Sequence, residues 1–376
     1  MTHKVALIGG GVSSVTLALL LKENFSVTIF ERDDALLKKL RRTGNGRANI
    51  FNRNMDTYFY NDQAFMSEHT PRIVESLDEF FAGQKILTYT DDAFRVYPYS
   101  QSARVLRENL LSRLSANVKL NTNIKEVTKE NDKFIVNGEA FDFLVVATGS
   151  SAGLHGLPLD NGNNFLLESL ALKQSKFVPV IKTLALKEDV KALQNIRVKA
   201  RLSLYQDEQL LHAETGELMF KKDGLSGIVS FIVSSYFEWA KKKAPKSAFK
   251  LKINLMPEYT KSEVEDLLLT RNLKSFFDER LVTYLLSKGE ANLAENLTNL
   301  TYSLVSANNP ENTQAMNGGV NLDLIKSTTF NLKKDPRVFV LGEALNIDGI
   351  SGGYNLAFAF YTAIKAAKAL NDTFCQ

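Results

Sequence analysis

The chain has 376 residues, 44 % of them apolar, which is enough for a packed core divided over two or three domains. Its 46 basic and 42 acidic side chains leave a formal net charge of only +4, distributed in both signs along the chain; this describes a solvated surface and not a nucleic-acid footprint. The single cysteine, Cys375, excludes an internal disulfide framework, no apolar run approaches the roughly 20 residues of a membrane helix, and only Met1 to Lys4 precede the first apolar run, so a cytoplasmic protein without a secretory signal is expected.

In chain order, Val5 to Ile8 reads as a short buried strand, Gly9, Gly10 and Gly11 as a tight turn, and Val15 to Leu21 as an apolar helix. Glycines in such a turn let the backbone approach a pyrophosphate lying at the positive end of the helix dipole. The next β-type run, SVTIFE, ends at Glu31, about 20 residues beyond the turn, where a carboxylate accepts hydrogen bonds from an adenosine ribose. Ser14 occupies the third glycine position of the motif and adds a small side chain where helix and strand pack closely.

Further on, Phe134 to Val136 and Phe143 to Ala147 flank the turn-like Asn137-Gly138, and the second run leads into Thr148-Gly149-Ser150. The texture changes between Pro179 and Leu332. IRVKARLSLYQDEQLLHAETGELMF alternates apolar and polar residues, with Thr215-Gly216 expected at a turn between antiparallel strands. Thr260 and Glu263 form a capping box ahead of VEDLLL, and FFDERLVTYLL follows with helical spacing. Near the end, Val338 to Leu341 is another buried strand stopping at Gly342-Glu343. After a loop containing Asp348, Gly352-Gly353 opens a helix that begins near Tyr354 and Asn355. Backbone N–H groups at that helix start can face the pyrimidine edge of a flavin.

Other chemistries find little support. There is no H-E-x-x-H, cysteine pair or His/carboxylate cluster for a metal and no G-x-S-x-G elbow for acyl transfer. His3, His69, His155 and His212 are scattered and read as surface or turn residues, with His155 alone close in sequence to a cofactor strand. No second strand-GxGxxG-helix unit occurs, so NAD(P)H, if it is the electron donor, would bind transiently across the flavin face. Arg47 and Tyr354 are candidates to hold or polarise a substrate; packing or cofactor contact accounts for them equally. Tyr97, Pro98 and Tyr99 read first as core. No catalytic residue is assigned.

The segment LLKKLRRTGNGRANIFN, Leu36 to Asn52, resembles the G-x-K-x-x-x-S-G-G-G-R-C-N signature of the HI0933-like flavoproteins, also called BaiN-like or aminoacetone-oxidase-like, through Lys39, Thr43, Gly44, Gly46, Arg47 and Asn49. FRVYPYS (Phe94 to Ser100), TGELMFKKDGLSG (Thr215 to Gly227), MNGGVNL (Met316 to Leu322) and LGEALNIDGISGGYN extend the similarity over most of the chain. Three departures stand out: Asn45 replaces the middle glycine, Ala48 replaces the cysteine, and Leu159 to Asn164 replaces a G-x-T-G-D-G-type loop.

The resemblance implies an α/β fold of the two-dinucleotide-binding type. Its Rossmann-like FAD domain would span residues 1–180 and 333–376. The insert, 181–332, would have a β-barrel-like portion over about 181–255 and 305–332 and a helical portion over about 256–304. It implies an FAD-dependent oxidoreductase transferring hydride at flavin N5 to or from a small organic substrate, with direction, donor and oligomeric state open. Carried over residue by residue, Gly9, Gly11 and Ser14 lie at the pyrophosphate and Glu31 at the adenosine ribose, with Arg32 also among the cofactor-binding residues, while Ile124 offers its backbone to adenine. Lys39, Arg47 and Asn49 lie in a loop crossing the flavin, and Thr148, Gly149, Gly342, Glu343, Asp348, Gly353, Tyr354 and Asn355 lie along the ribityl chain and ring. The departures keep open a flavin-binding redox sensor or interaction module with weak catalysis, and related folds keep open a flavoprotein acting on RNA.

Overall fold

The computed structural model describes residues 2–153, 164–305 and 313–374. His155, the loop 159–163 and Cys375 lie outside the described residues. The chain divides into two compact units, Met1–Val178 with Ala315–Gln376 and Pro179–Gln314.

The first unit is built on a five-stranded sheet of β1 (His3–Ile8), β2 (Phe25–Phe30), β3 (Asn117–Lys119), β4 (Phe143–Val146) and β5 (Val338–Val340), in the order β5-β4-β1-β2-β3. All neighbouring pairs are parallel: Ile8 lies beside both Phe30 and Val146, and Val146 beside Val340. VALI, FLVV and VFV are continuous apolar runs because a parallel sheet is covered on both faces, and every residue of those runs is buried. The first helix, Val12–Leu20, buries Ser13 through Ala18 and packs against the C-terminal helix, Tyr354–Phe374, where Ser13 Oγ donates to the Ala359 carbonyl at 2.9 Å. Asn137 and Gly138 form the expected turn, both with positive φ (49° and 79°), between the strands Lys133–Val136 and Glu139–Phe141.

The second unit contains a closed antiparallel barrel. Around it run Leu184–Leu186, Gly224–Ser226, Gln209–Lys221, Arg197–Gln206, Phe249–Asn254 and Leu300–Val305. Thr215-Gly216 is not a turn, as the sequence had suggested: the strand Gln209–Lys221 continues straight through it, and the chain reverses instead at Asp207 and Glu208, both with positive φ. Gly216 lies at a close approach of a helix to the strand. A Cβ there would stand 3.1 Å from Val229 Cγ1 on the helix Ile228–Lys243 that packs across the strand. The capping box is present, with Thr260 N donating to Glu263 Oε2 at 2.7 Å ahead of the helix Lys261–Thr270. Residues 315–332 group with the first unit and not with the insert, because Ala315–Val320 pairs with Gln174–Val180 outside the barrel.

His69 is not a surface residue. It is 2 % exposed and its ring lies among Phe65, Phe330 and Tyr361, with centroids 4.9 to 5.6 Å away. Nε2 has no hydrogen-bond partner. Burial pushes the imidazole pKa from 6.5 down to about 4; Lys365 and Arg72 add to the shift and Glu68 opposes it. The unfolded chain therefore takes up this proton near pH 6.5 while the folded chain resists it until about pH 4. Stability from this group is complete above pH 6.5 and falls as pH drops through that window, by on the order of 3 kcal/mol. Replacing His69 with Leu should flatten the loss of stability between pH 7 and 4.5 in urea unfolding; an acid slope unchanged from wild type would count against this account.

Candidate functional site

Because β5, β4, β1 and β2 are parallel and adjacent, the segments that follow them emerge side by side on one edge, about 4.8 Å apart. These segments are Leu341-Gly342-Glu343, Ala147-Thr148-Gly149, Gly9-Gly10-Gly11 and Glu31-Arg32. Gly9 turns with φ +104°, and a side chain there would run into the carbonyl of Ala147. Gly10 is walled by Leu36 and Glu31. Gly11, by contrast, would offer a Cβ open space, and it begins the first helix with no side-chain cap and no acidic residue in the first turn. The positive end of that helix thus faces open space, which is what a pyrophosphate requires.

Glu31 is held firmly. Its Oε2 accepts from Gly10 N at 2.6 Å and its Oε1 from Asp33 N at 2.8 Å, leaving further lone pairs for ribose hydroxyls. Arg32 lies 3.9 Å from Asp33. Backbone bonds from Thr122 N to Glu31 O and from Asn121 N to Asp33 O draw the segment leading to the buried Ile124 toward this corner.

The Leu36–Asn52 loop returns across the same edge. Lys39 Nζ donates to Glu343 Oε2 at 2.8 Å and to Ser150 O at 3.0 Å, and Ser150 Oγ donates to the same carboxylate oxygen at 3.1 Å. Ser150 was not foreseen as a site residue, although it directly follows Thr148-Gly149. Gly149 and Gly342 both have positive φ, and a Cβ on Gly342 would meet Ser13 Oγ at 2.6 Å. Farther along, the loop runs through Gly44, Asn45, Gly46 and Ala48 with φ between 54° and 82°. Asparagine tolerates this left-handed region where the family has glycine; the buried Ala48 occupies it at a steric cost.

At the start of the C-terminal helix, Gly353 (φ +105°) would carry a Cβ 2.8 Å from Phe51 C and 2.9 Å from Asn49 Oδ1, so the loop lies directly on it. Asn355 closes the preceding turn through paired bonds with Gly349, each 2.8 Å. Asp348 is buried and accepts from Asn317 Nδ2 at 2.5 Å; Asn317, in the MNGGVNL segment, was not foreseen as a site residue. The Tyr354 hydroxyl donates to Asn54 O at 3.2 Å, which ties up the phenol within the fold. The Arg47 guanidinium lies over the Tyr97 ring, 5.1 Å from its centroid. Among the described residues no group of three His, Cys, Asp or Glu side chains is arranged to hold a metal ion.

A family model, the HI0933-like protein Rossmann domain, matches residues 3–369. The chain belongs to the HI0933-like family. It is thereby an FAD-dependent oxidoreductase. This HI0933-like chain is 26 % identical over 409 aligned residues to a 3-dehydro-bile acid delta(4,6)-reductase of Clostridium scindens, covering 98 % of each chain. Among solved structures it is similar to a 3-ketosteroid delta1-dehydrogenase of Sterolibacterium denitrificans, with TM-score 0.49, 10 % identity and coverage of 99 % of this chain and 100 % of that one. It is similar also to a 3-ketosteroid-delta4-(5alpha)-dehydrogenase of Rhodococcus jostii, with TM-score 0.48, 10 % identity and 97 % coverage of each. Among the described residues no helix is long and apolar enough to cross a membrane.

The third glycine position of the HI0933-like chain yields a test. Ser14 is fully buried and its hydroxyl has no hydrogen-bond partner, an arrangement that costs about 1–3 kcal/mol. Ser14→Ala should raise the stability of the apoprotein by about 1 kcal/mol, read as a higher denaturant midpoint at unchanged m-value. An unshifted midpoint would mean that the hydroxyl costs nothing where it is.

Proposed function

We propose that the carboxyl edge of the sheet holds FAD and that the enzyme reduces an activated double bond in a small organic substrate. The observation that carries this reading is the uncapped, open start of the first helix beside a carboxylate fixed by two backbone N–H groups. Gly9 and Gly11 would admit the pyrophosphate to the helix start, and Glu31 and Arg32 would hold the adenosine ribose, with the backbone near Ile124 against adenine. Lys39 holds Glu343 oriented toward Gly149, a position suited to accepting hydrogen bonds from the ribityl chain. Asp348 and the backbone N–H groups from Gly353 to Asn355 would line the pyrimidine edge, where the helix dipole favours negative charge. Asn49 Oδ1, buried without a partner beside Gly353, is available there as an acceptor. Bound FAD supplies two-electron chemistry, taking or giving hydride at N5.

The reductase direction is supported by the Clostridium scindens relative, a 3-dehydro-bile acid delta(4,6)-reductase. NADH or NADPH is proposed as a transient donor, since the sequence contains no second dinucleotide motif. A cytoplasmic location is supported by the single cysteine.

Purified protein should be yellow, release FAD on denaturation, and bleach when titrated anaerobically with NADH or NADPH. A protein that stays colourless after reconstitution with FAD would overturn the reading, and bound FAD that no donor reduces would favour a flavin module with weak catalysis, the reading motivated by Asn45, Ala48 and the 160–164 segment. Glu31→Ala should weaken FAD binding by about 10- to 100-fold through loss of charge-assisted hydrogen bonds, measured by flavin fluorescence on titration of the apoprotein. Wild-type affinity in that variant would remove Glu31 from the cofactor.

A further inference from the structure

The small antiparallel sheet of Phe51–Asn52, Thr88–Thr90 and Arg95–Pro98 buries one face, where Phe51 and Val96 are both fully covered. Its other face is aromatic. Tyr89 pairs directly with Tyr97, and Tyr99 N donates to Leu87 O at 2.8 Å, so Leu87, Tyr89, Tyr97 and Tyr99 share one side by the two-residue period of strands. The Tyr89 and Tyr97 rings stack at 5.7 Å, and Tyr99 meets Tyr89 edge-on. Leu87 and Tyr99 are 68 % and 67 % exposed.

Three arginines surround this platform, and two are neutralised. Arg53 forms a two-pronged pair with Asp78 at 2.8 and 3.0 Å, and Arg95 is paired with Asp91 at 2.8 Å. Arg47, an exposed residue, lies with its guanidinium over Tyr97 and, among the described residues, pairs with no carboxylate. It is two residues from Asn49, which touches the Gly353 helix start, and Ile50 N ties the same loop to Val96 O at 2.8 Å. A planar fork with open donors over an aromatic surface matches a carboxylate joined to a flat apolar body.

From this charge complementarity we infer that Arg47 is a specificity-determining residue: it anchors the carboxylate of an apolar organic acid whose body lies on the exposed Leu87 and Tyr99, beside the buried Tyr97 ring that carries the guanidinium. Arg47 is thereby assigned to the substrate and not to the cofactor. The inference rests on the proposed oxidoreductase reading, since it names the class of substrate for that site.

The test is isothermal titration of the FAD-loaded protein with 2-naphthoate and its neutral counterpart 2-naphthamide, and with cholate and its methyl ester. The acids should bind about tenfold or more tightly than the neutral forms, and Arg47→Gln should erase that difference. Arg47→Lys should recover it only in part, because an ammonium lacks the fork. Tyr99→Ser should weaken acid and neutral forms alike. In all three variants the visible spectrum and FAD content should match wild type. Equal affinity for acid and neutral forms in the wild type would overturn the inference, as would loss of FAD from Arg47→Gln or a loss of NADPH affinity in place of acid affinity. A wild-type protein that binds no FAD would instead defeat the underlying reading.

Discussion

At Gly9 the chain has no room for a side chain. A Cβ there would occupy the space of the Ala147 carbonyl on the neighbouring strand, and φ is +104°, a conformation that side-chain-bearing residues avoid. Everything on the carboxyl edge follows from that close approach. It lets β1 and β4 stay in register to their ends, turns the chain into the first helix, and leaves Gly11 facing open space. The neighbouring Gly10 sits so close to Glu31 that its N–H reaches the carboxylate at 2.6 Å. A single crowded turn thus sets both the anion-accepting helix start and the carboxylate beside it.

A second constraint is the clasp between Lys39 and Glu343, residues 304 positions apart. It joins the loop after β2 to the end of β5 along the edge, and Ser150, in the segment after β4, adds a hydrogen bond. The pair is partly exposed, with side-chain accessibilities of 38 % and 21 %, so its value lies more in fixing geometry than in stability. The same loop then passes through four left-handed residues before it rests on Gly353. Two are glycines and one is an asparagine, the residue types that accept such backbone most readily; Ala48 is the exception and makes this the strained part of the site.

The insert is organised by different contacts. Its barrel closes with antiparallel pairs throughout, and the helix Ile228–Lys243 packs on it through Gly216. Inside this unit Lys182 and Glu238 form an ion pair at 2.9 Å with side chains only 6 % and 7 % exposed. Two charges so deeply buried depend on each other, since either one alone would be left in a medium that solvates it poorly.

Local chemistry made much of this legible in advance. The strand, glycine turn and helix at the N-terminus, the Asn137-Gly138 hairpin and the Thr260–Glu263 capping box each depend on residues a few positions apart, and the amino-acid sequence by itself determined them. It also placed the ends of the strands that bear the candidate cofactor residues, because buried parallel strands read as uninterrupted apolar runs. Only the tertiary structure decided what those ends do together. Thr215-Gly216 carries a turn signal, yet it lies inside a strand, where a helix packs closely over the glycine. His69 looked like a surface residue, yet it is enclosed by the neighbouring Phe65 and by rings from two distant parts of the chain, Phe330 and Tyr361. The engagement of Ser150 by Glu343, of Asp348 by Asn317 and of Arg47 by Tyr97 likewise joins segments far apart in sequence. Propensity and spacing act over a turn or two of backbone, whereas these contacts depend on how strands and helices stack; that is why the frame of the site was readable from the residues and the partners within it were not.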